Sequence, residues 1–98
     1  MPAYLINDME VLDPQGLEDY KKLSPQTVAQ YGGKFLARGG ELKKVEGDWQ
    51  PKRLVILEFP SMAQAEAWIN SPEYAGPRQM RQKASRSNIV IVDGVPPA

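Results

Sequence analysis

Neither cysteine nor histidine occurs in the 98 residues. Without thiols there is no disulfide framework, no thiolate metal site and no catalytic thiol. Without imidazole, the commonest metal ligand, general base and haem axial ligand are missing as well. No cofactor is therefore expected, and any chemistry falls to Asp, Glu, Lys, Arg, Tyr, Ser or Thr, or to the ligand itself. An excess of one charge is also lacking. The 12 basic and 12 acidic side chains cancel, which argues against a nucleic-acid or anionic-membrane partner, since both reward a basic surplus. No run approaches the ~20 apolar residues of a spanning helix, and the start Met1-Pro2-Ala3-Tyr4-Leu5-Ile6 has neither the basic nor the apolar region of a signal peptide. A cytoplasmic location is expected.

What is present is the composition of an ordinary globular protein, 42% hydrophobic and 24% charged. A chain of this length supports one core, so residues 1–98 are expected to form a single domain. Ala3 to Asn7 is short, apolar and β-prone, and reads as a first strand. Asp13 followed by Pro14 is a helix start, with Leu17, Tyr20, Val28 and Tyr31 at roughly helical spacing. Pro25 is expected to bend or restart that helix, because it has no amide to donate. Gly32-Gly33 ends it, and Lys34 to Arg38 reads as a second strand.

Beyond a kink at Gly39-Gly40, Glu41 to Val45 is expected to extend this strand and Arg53 to Phe59 to return as the third, forming a long hairpin. Ser61 with Gln64 is a capping box for a helix carrying Ala65, Trp68 and Ile69. Ser71-Pro72 and Gly76-Pro77 each offer a fresh helix start before about Ala84. Asn88 to Asp93 is the fourth strand. The order β-α-β-β-α-β predicts a ferredoxin-like α+β fold, with a four-stranded antiparallel sheet and helices on one face.

The strands themselves point to a partner. Val55, Leu57 and Phe59 face one way, Leu54 and Ile56 the other; Ile89 and Ile91 oppose Val90 and Val92. An antiparallel sheet with one wet face alternates apolar with polar residues, and this one does not. Helices cover one side only, so the expected cover for the other is a twin subunit in a homodimer. Strong strand formers tolerated on a wet face are the plain alternative. Trp49, in the hairpin, is expected to pack at that dimer contact or to act as a lid.

Five residues stand out for chemistry. Glu58 shares a face with Leu54 and Ile56, where an unpaired carboxylate is costly, so Arg38 or Arg81 is expected to pair with it. Glu58 and Arg38 are the candidate catalytic pair, and a structural ion pair is the alternative. Trp68, Tyr74 and Arg81 are the candidate ligand-binding residues, with the phenol orienting a polar ligand and arginine holding an acid. Tyr20 and Tyr31 could join them in lining a cleft; core packing is the alternative for all these aromatics. Arg78, Arg81, Lys83 and Arg86 form a basic run most simply explained as a solvated face near a helix end. No combination of residues suggests a metal site.

Gly39-Gly40, Glu46-Gly47-Asp48-Trp49, Arg53-Leu54-Val55, Glu58-Phe59-Pro60-Ser61, Ala67-Trp68 and Ser71-Pro72-Glu73-Tyr74 together resemble the domain-of-unknown-function 1330 family. That family lies within the dimeric α/β-barrel superfamily of ferredoxin-like folds. The resemblance covers nearly the whole chain. It implies two subunits pairing sheet against sheet, each with a ligand cleft between its sheet and helices, and it implies no established activity. The haem branch of the superfamily is the poorest fit, for want of an axial histidine. The expected function is binding or transformation of a small acidic organic ligand without a cofactor. A dimeric interaction or regulatory module without enzymatic activity is the alternative, and whether the cleft residues converge on one pocket decides between them.

Overall fold

A computed structural model describes residues 1–96. In chain order the elements are β1 (Ala3–Val11), α1 (Pro14–Gln30), β2 (Lys34–Arg38), β3 (Leu54–Phe59), α2 (Met62–Ile69), α3 (Pro72–Ala84) and β4 (Ser85–Asp93). The strands form one four-stranded antiparallel sheet in the order β2-β3-β1-β4, the ferredoxin-like arrangement that the sequence predicts. β1 and β4 pair over their full lengths, from Ala3 opposite Asp93 to Val11 opposite Ser85. Each is longer than its apolar stretch suggested, because the polar ends are held by the partner's ladder rather than by burial.

Alternation sorts the side chains into two layers. Ala3, Leu5, Asn7 and Met9 on β1, with Val55, Leu57 and Phe59 on β3, are buried beneath the helices. Trp68 and Tyr74 reach down from α2 and α3 to complete that core, their rings tilted by 34° with centroids 4.0 Å apart. Among the described residues no helix covers the opposite face. In Cα extent the molecule measures 42 × 39 × 17 Å, a flat slab of one helix layer on one sheet.

The caps act as the sequence requires. Asp13 accepts from the Gly16 amide at 3.2 Å and Ser61 from the Gln64 amide at 3.1 Å. The Gln64 side chain does not close a reciprocal box; it donates to the Tyr31 carbonyl instead, tying α2 to the end of α1.

Three expectations are corrected. Helix α1 runs through Pro25 without a break. The carbonyl that Pro25 leaves without a donor is that of Lys21, four residues earlier, and Arg38 Nη2 donates to it at 3.2 Å. Pro77 likewise lies within a continuous α3, with no fresh start at Gly76. Residues 41 to 45 form no strand: from Gly39 to Arg53 the chain is an irregular, largely exposed loop. Its return is fixed by Asp8, whose carboxylate accepts from Trp49 Nε1 at 3.0 Å and from the Lys52 amide at 3.1 Å. Asp8 belongs to the helix-free face, so Trp49 lies there too, beside Ile6 and Val90, and not over the helix side as a lid.

Candidate functional site

Between the sheet and the helices lies a cleft whose walls come from β1, β2, β3, α1, α2 and α3. Its most buried charged group is Arg81, only 5% exposed although it is a cation. Helical spacing explains the placement: Tyr74, Pro77, Arg81 and Ala84 fall on one buried stripe of α3. Arg81 Nε donates to the Tyr74 hydroxyl at 3.1 Å, and that oxygen lies 2.7 Å from the Tyr20 hydroxyl on α1. No carboxylate comes within ion-pair distance of Arg81 among the described residues.

Asn7 enters from below. It occupies a core-facing position of β1, is 5% exposed, and its buried Oδ1 has no hydrogen-bond partner. A buried polar atom without a partner costs on the order of 1–3 kcal/mol, and one facing a cleft is open to a ligand donor or a water. Trp68 forms part of the apolar wall and donates its Nε1 proton to Thr27 Oγ1 at 3.0 Å. Its indole is thereby fixed, and it serves the core and the cleft at once.

The electrostatics are one-sided. The charged lining residues are Lys21, Arg38, Arg53 and Arg81, with no Asp or Glu among them. Lys21 is balanced by Glu18 at 3.0 Å; the arginines are not. Burial, reinforced by Arg38, lowers the Arg53 pKa from its ordinary value. Burial and the adjoining Tyr74 phenol push the Tyr20 phenol far above the ordinary tyrosine range, so it stays protonated and is no base.

The predicted residues divide by face. Arg38, Trp68, Tyr74 and Arg81 all line this cleft. Glu58 does not. It lies on the helix-free face, where it accepts from Lys34 Nζ at 3.0 Å and from the Tyr4 hydroxyl at 3.2 Å. The expected pairing of Glu58 with Arg38 or Arg81 is corrected, and a register shift is the cause. Lys34 pairs with Glu58 and Phe35 with Leu57, but a bulge at Leu36 moves Ala37 opposite Ile56 and Arg38 opposite Val55. The extra residue turns Arg38 to the helix side, where its guanidinium sits 4.5 Å from the centre of the Phe35 ring. Tyr31 also stands outside the cleft, donating to Glu73 at 2.6 Å. The basic run is split rather than solvated: Arg81 is buried, Arg78 donates to the Ile69 carbonyl at 3.0 Å, and Lys83 and Arg86 are exposed.

Sequence reasoning missed Asn7 and Arg53. Both were signalled by parity: Asn7 alternates with the core residues of β1, and Arg53, just ahead of β3, continues the alternation of Val55, Leu57 and Phe59. A consequence for Glu58 follows. Its partner Lys34 has a side chain 69% exposed, so Glu58→Gln should cost no more than about 1 kcal/mol. In a thermal melt the loss should be small.

Among the described residues no group of three or more acidic side chains is gathered as a metal site, and no helix is long and apolar enough to cross a membrane. No curated protein matches the chain. Among solved structures, a protein of unknown function from Rhodopseudomonas palustris superposes with a TM-score of 0.77 at 21% identity, covering 98% of this chain and 84% of that one. A dimeric ferredoxin-like protein of unknown function from Jannaschia sp. gives 0.65 at 11%, covering 96% and 100%. SnoaB, a cofactor-independent oxygenase from Streptomyces nogalater, gives 0.65 at 11%, covering 98% and 95%. These likenesses establish the ferredoxin-like fold. The sequence profile of the domain-of-unknown-function family DUF1330 matches residues 2–95, and the protein belongs to that family.

Proposed function

We propose that this protein binds a small organic acid in the cleft between sheet and helices, without a cofactor, and does so as a homodimer. One observation carries the binding reading: Arg81 is 5% exposed, faces the cleft and has no carboxylate partner among the described residues. A lone guanidinium in so dry a place is costly, and an anionic ligand is the natural compensation. The Tyr74 and Tyr20 hydroxyls supply further polar contacts, and Asn7 Oδ1 can accept from a hydroxyl or a water carried by the ligand, while Trp68 and the core residues offer an apolar wall. The lining contains no acid to serve as a base, and Tyr20 is held in its neutral form, so the reading is of binding rather than acid–base turnover by the protein's own groups. A cofactor-independent role also accords with the description of SnoaB.

Pairing is supported by the bare face. Ala37, Ile56, Ile6 and Val90 stand in register across all four strands on the side without helices. Val90 is 60% exposed and Val92 48%, a contiguous apolar surface of the kind that marks an interface. The Jannaschia relative is described as dimeric.

The test of binding is a thermal-shift screen of small carboxylic acids against the wild-type protein and Arg81→Met. Acids that bind the native state should raise the wild-type Tm in proportion to the logarithm of their concentration. The variant should show no shift. Equal shifts in both proteins would overturn the assignment of Arg81.

A further inference from the structure

The cleft has a second cationic centre, which a single carboxylate at Arg81 leaves unused. Arg53 is half-buried beside Arg38, and neither has a carboxylate within ion-pair distance among the described residues. Like charges brought together repel; Arg38 reaches water, whereas Arg53 is half-buried. Here they are held. Arg38 is fixed by the Lys21 carbonyl and the Phe35 ring. Arg53 reaches to within 4.0 Å of Met9 Sδ and lies against Gly39. Gly39 has φ +70°, and a Cβ there would stand 2.7 Å from Arg53 Nε. Glycine suits that backbone and leaves the guanidinium its place beside the cleft.

Resting on the acid-binding reading, we infer that the ligand is a straight-chain diacid, with one carboxylate at Arg81 and the other between Arg38 and Arg53 at the outer end. The intervening walls are apolar, formed in part by Leu5, Val55, Leu57 and Phe35. They suit a methylene chain. The space open to water centres is about 30 Å³, a narrow slot that admits a thin unbranched chain more readily than a ring. Two charges at the ends of an apolar spacer meet this lining with each carboxylate on arginine. A monoacid would leave the outer pair uncompensated.

The experiment compares Kd values for the straight-chain diacids from succinate to suberate with monoacids of equal carbon number, by calorimetry at fixed ionic strength. One diacid length should exceed its matched monoacid by tenfold or more, with affinity falling on either side of that length. Arg53→Met should erase the advantage, lowering diacid affinity by tenfold or more and monoacid affinity by much less; Arg53→Gln serves if the Met variant does not fold. Diacids no tighter than monoacids, an advantage independent of chain length, or one that survives both Arg53→Met and Arg38→Met would overturn the inference. Monoacid binding that still requires Arg81 would then leave the simpler acid-binding reading standing. Failure of every acid to bind would remove both.

Discussion

Replacing Val90 and Val92 together with lysine should yield a folded monomer, whereas the unmodified protein should sediment at about twice 10.9 kDa at micromolar concentration. The reasoning is geometric. Both valines point away from the helices on β4, with Val90 in register with Ile6 and Val92 with Tyr4. Their removal leaves the core beneath the helices untouched. A stable pair buries about 800 Å² on each partner, and lysines on an edge strand are among the devices by which natural sheets resist such contact.

The paired control has the opposite signature. Ile89 and Ile91 are one residue away but turn inward, packing against the core cluster that contains Leu5, Trp68 and Tyr74. Ile89→Lys with Ile91→Lys buries two cations without partners, a loss on the order of 5 kcal/mol or more. That is enough to unfold most domains of this size. Circular dichroism with sedimentation separates the cases, and a monomeric wild-type protein would sink the pairing proposal.

Arg81→Met should be at least as stable as the wild type, by up to about 2 kcal/mol, while losing acid binding. Desolvating a guanidinium costs several kcal/mol, and the hydrogen bond it makes in return is worth roughly 1.5–3. Arg81 makes such a bond to Tyr74, and the Tyr74 hydroxyl keeps Tyr20 as a partner when Arg81 is gone. Methionine fills much of the vacated length with apolar surface. Binding sites carry such costs for function, so a gain in stability coupled to a loss of binding is their mark. Chemical denaturation of the two proteins gives the sign directly. Destabilisation with unchanged acid binding would identify Arg81 as architecture, and the non-enzymatic pairing module would become the better account.

Most of the fold was legible along the chain because its causes are local. Asp13-Pro14, Ser61 and Ser71-Pro72 place helix starts where capping physics requires them. Alternation in 54–59 and 89–92 sorts the side chains of each strand into two opposed sets from residue types alone, though not which set lies beneath the helices. The family could also be read from the sequence, and its profile matches residues 2–95.

The site was legible only in part. Trp68, Tyr74, Arg81 and Arg38 do share a cleft, but Glu58 was grouped with them on charge complementarity, which is blind to which side of a sheet a residue occupies. Arg81 sits seven residues after buried Tyr74, a spacing that places it inside; its basic neighbours made the stretch read as solvated.

The sequence by itself determined the element order, the caps, the two-sided apolar sheet and the absence of Cys and His chemistry, because each depends on residue types a few positions apart. Only the tertiary structure decided how the charges are distributed. One bulged residue at Leu36 reverses the direction of Arg38. That reversal lets Arg38 satisfy the Lys21 carbonyl freed by Pro25 and keep α1 whole. It also leaves Glu58 to Lys34 on the far face and gathers Arg38, Arg53 and Arg81 in a cleft without a carboxylate. Strand register is set by pairing between segments distant in the chain, and a shift of one residue exchanges the faces of a sheet.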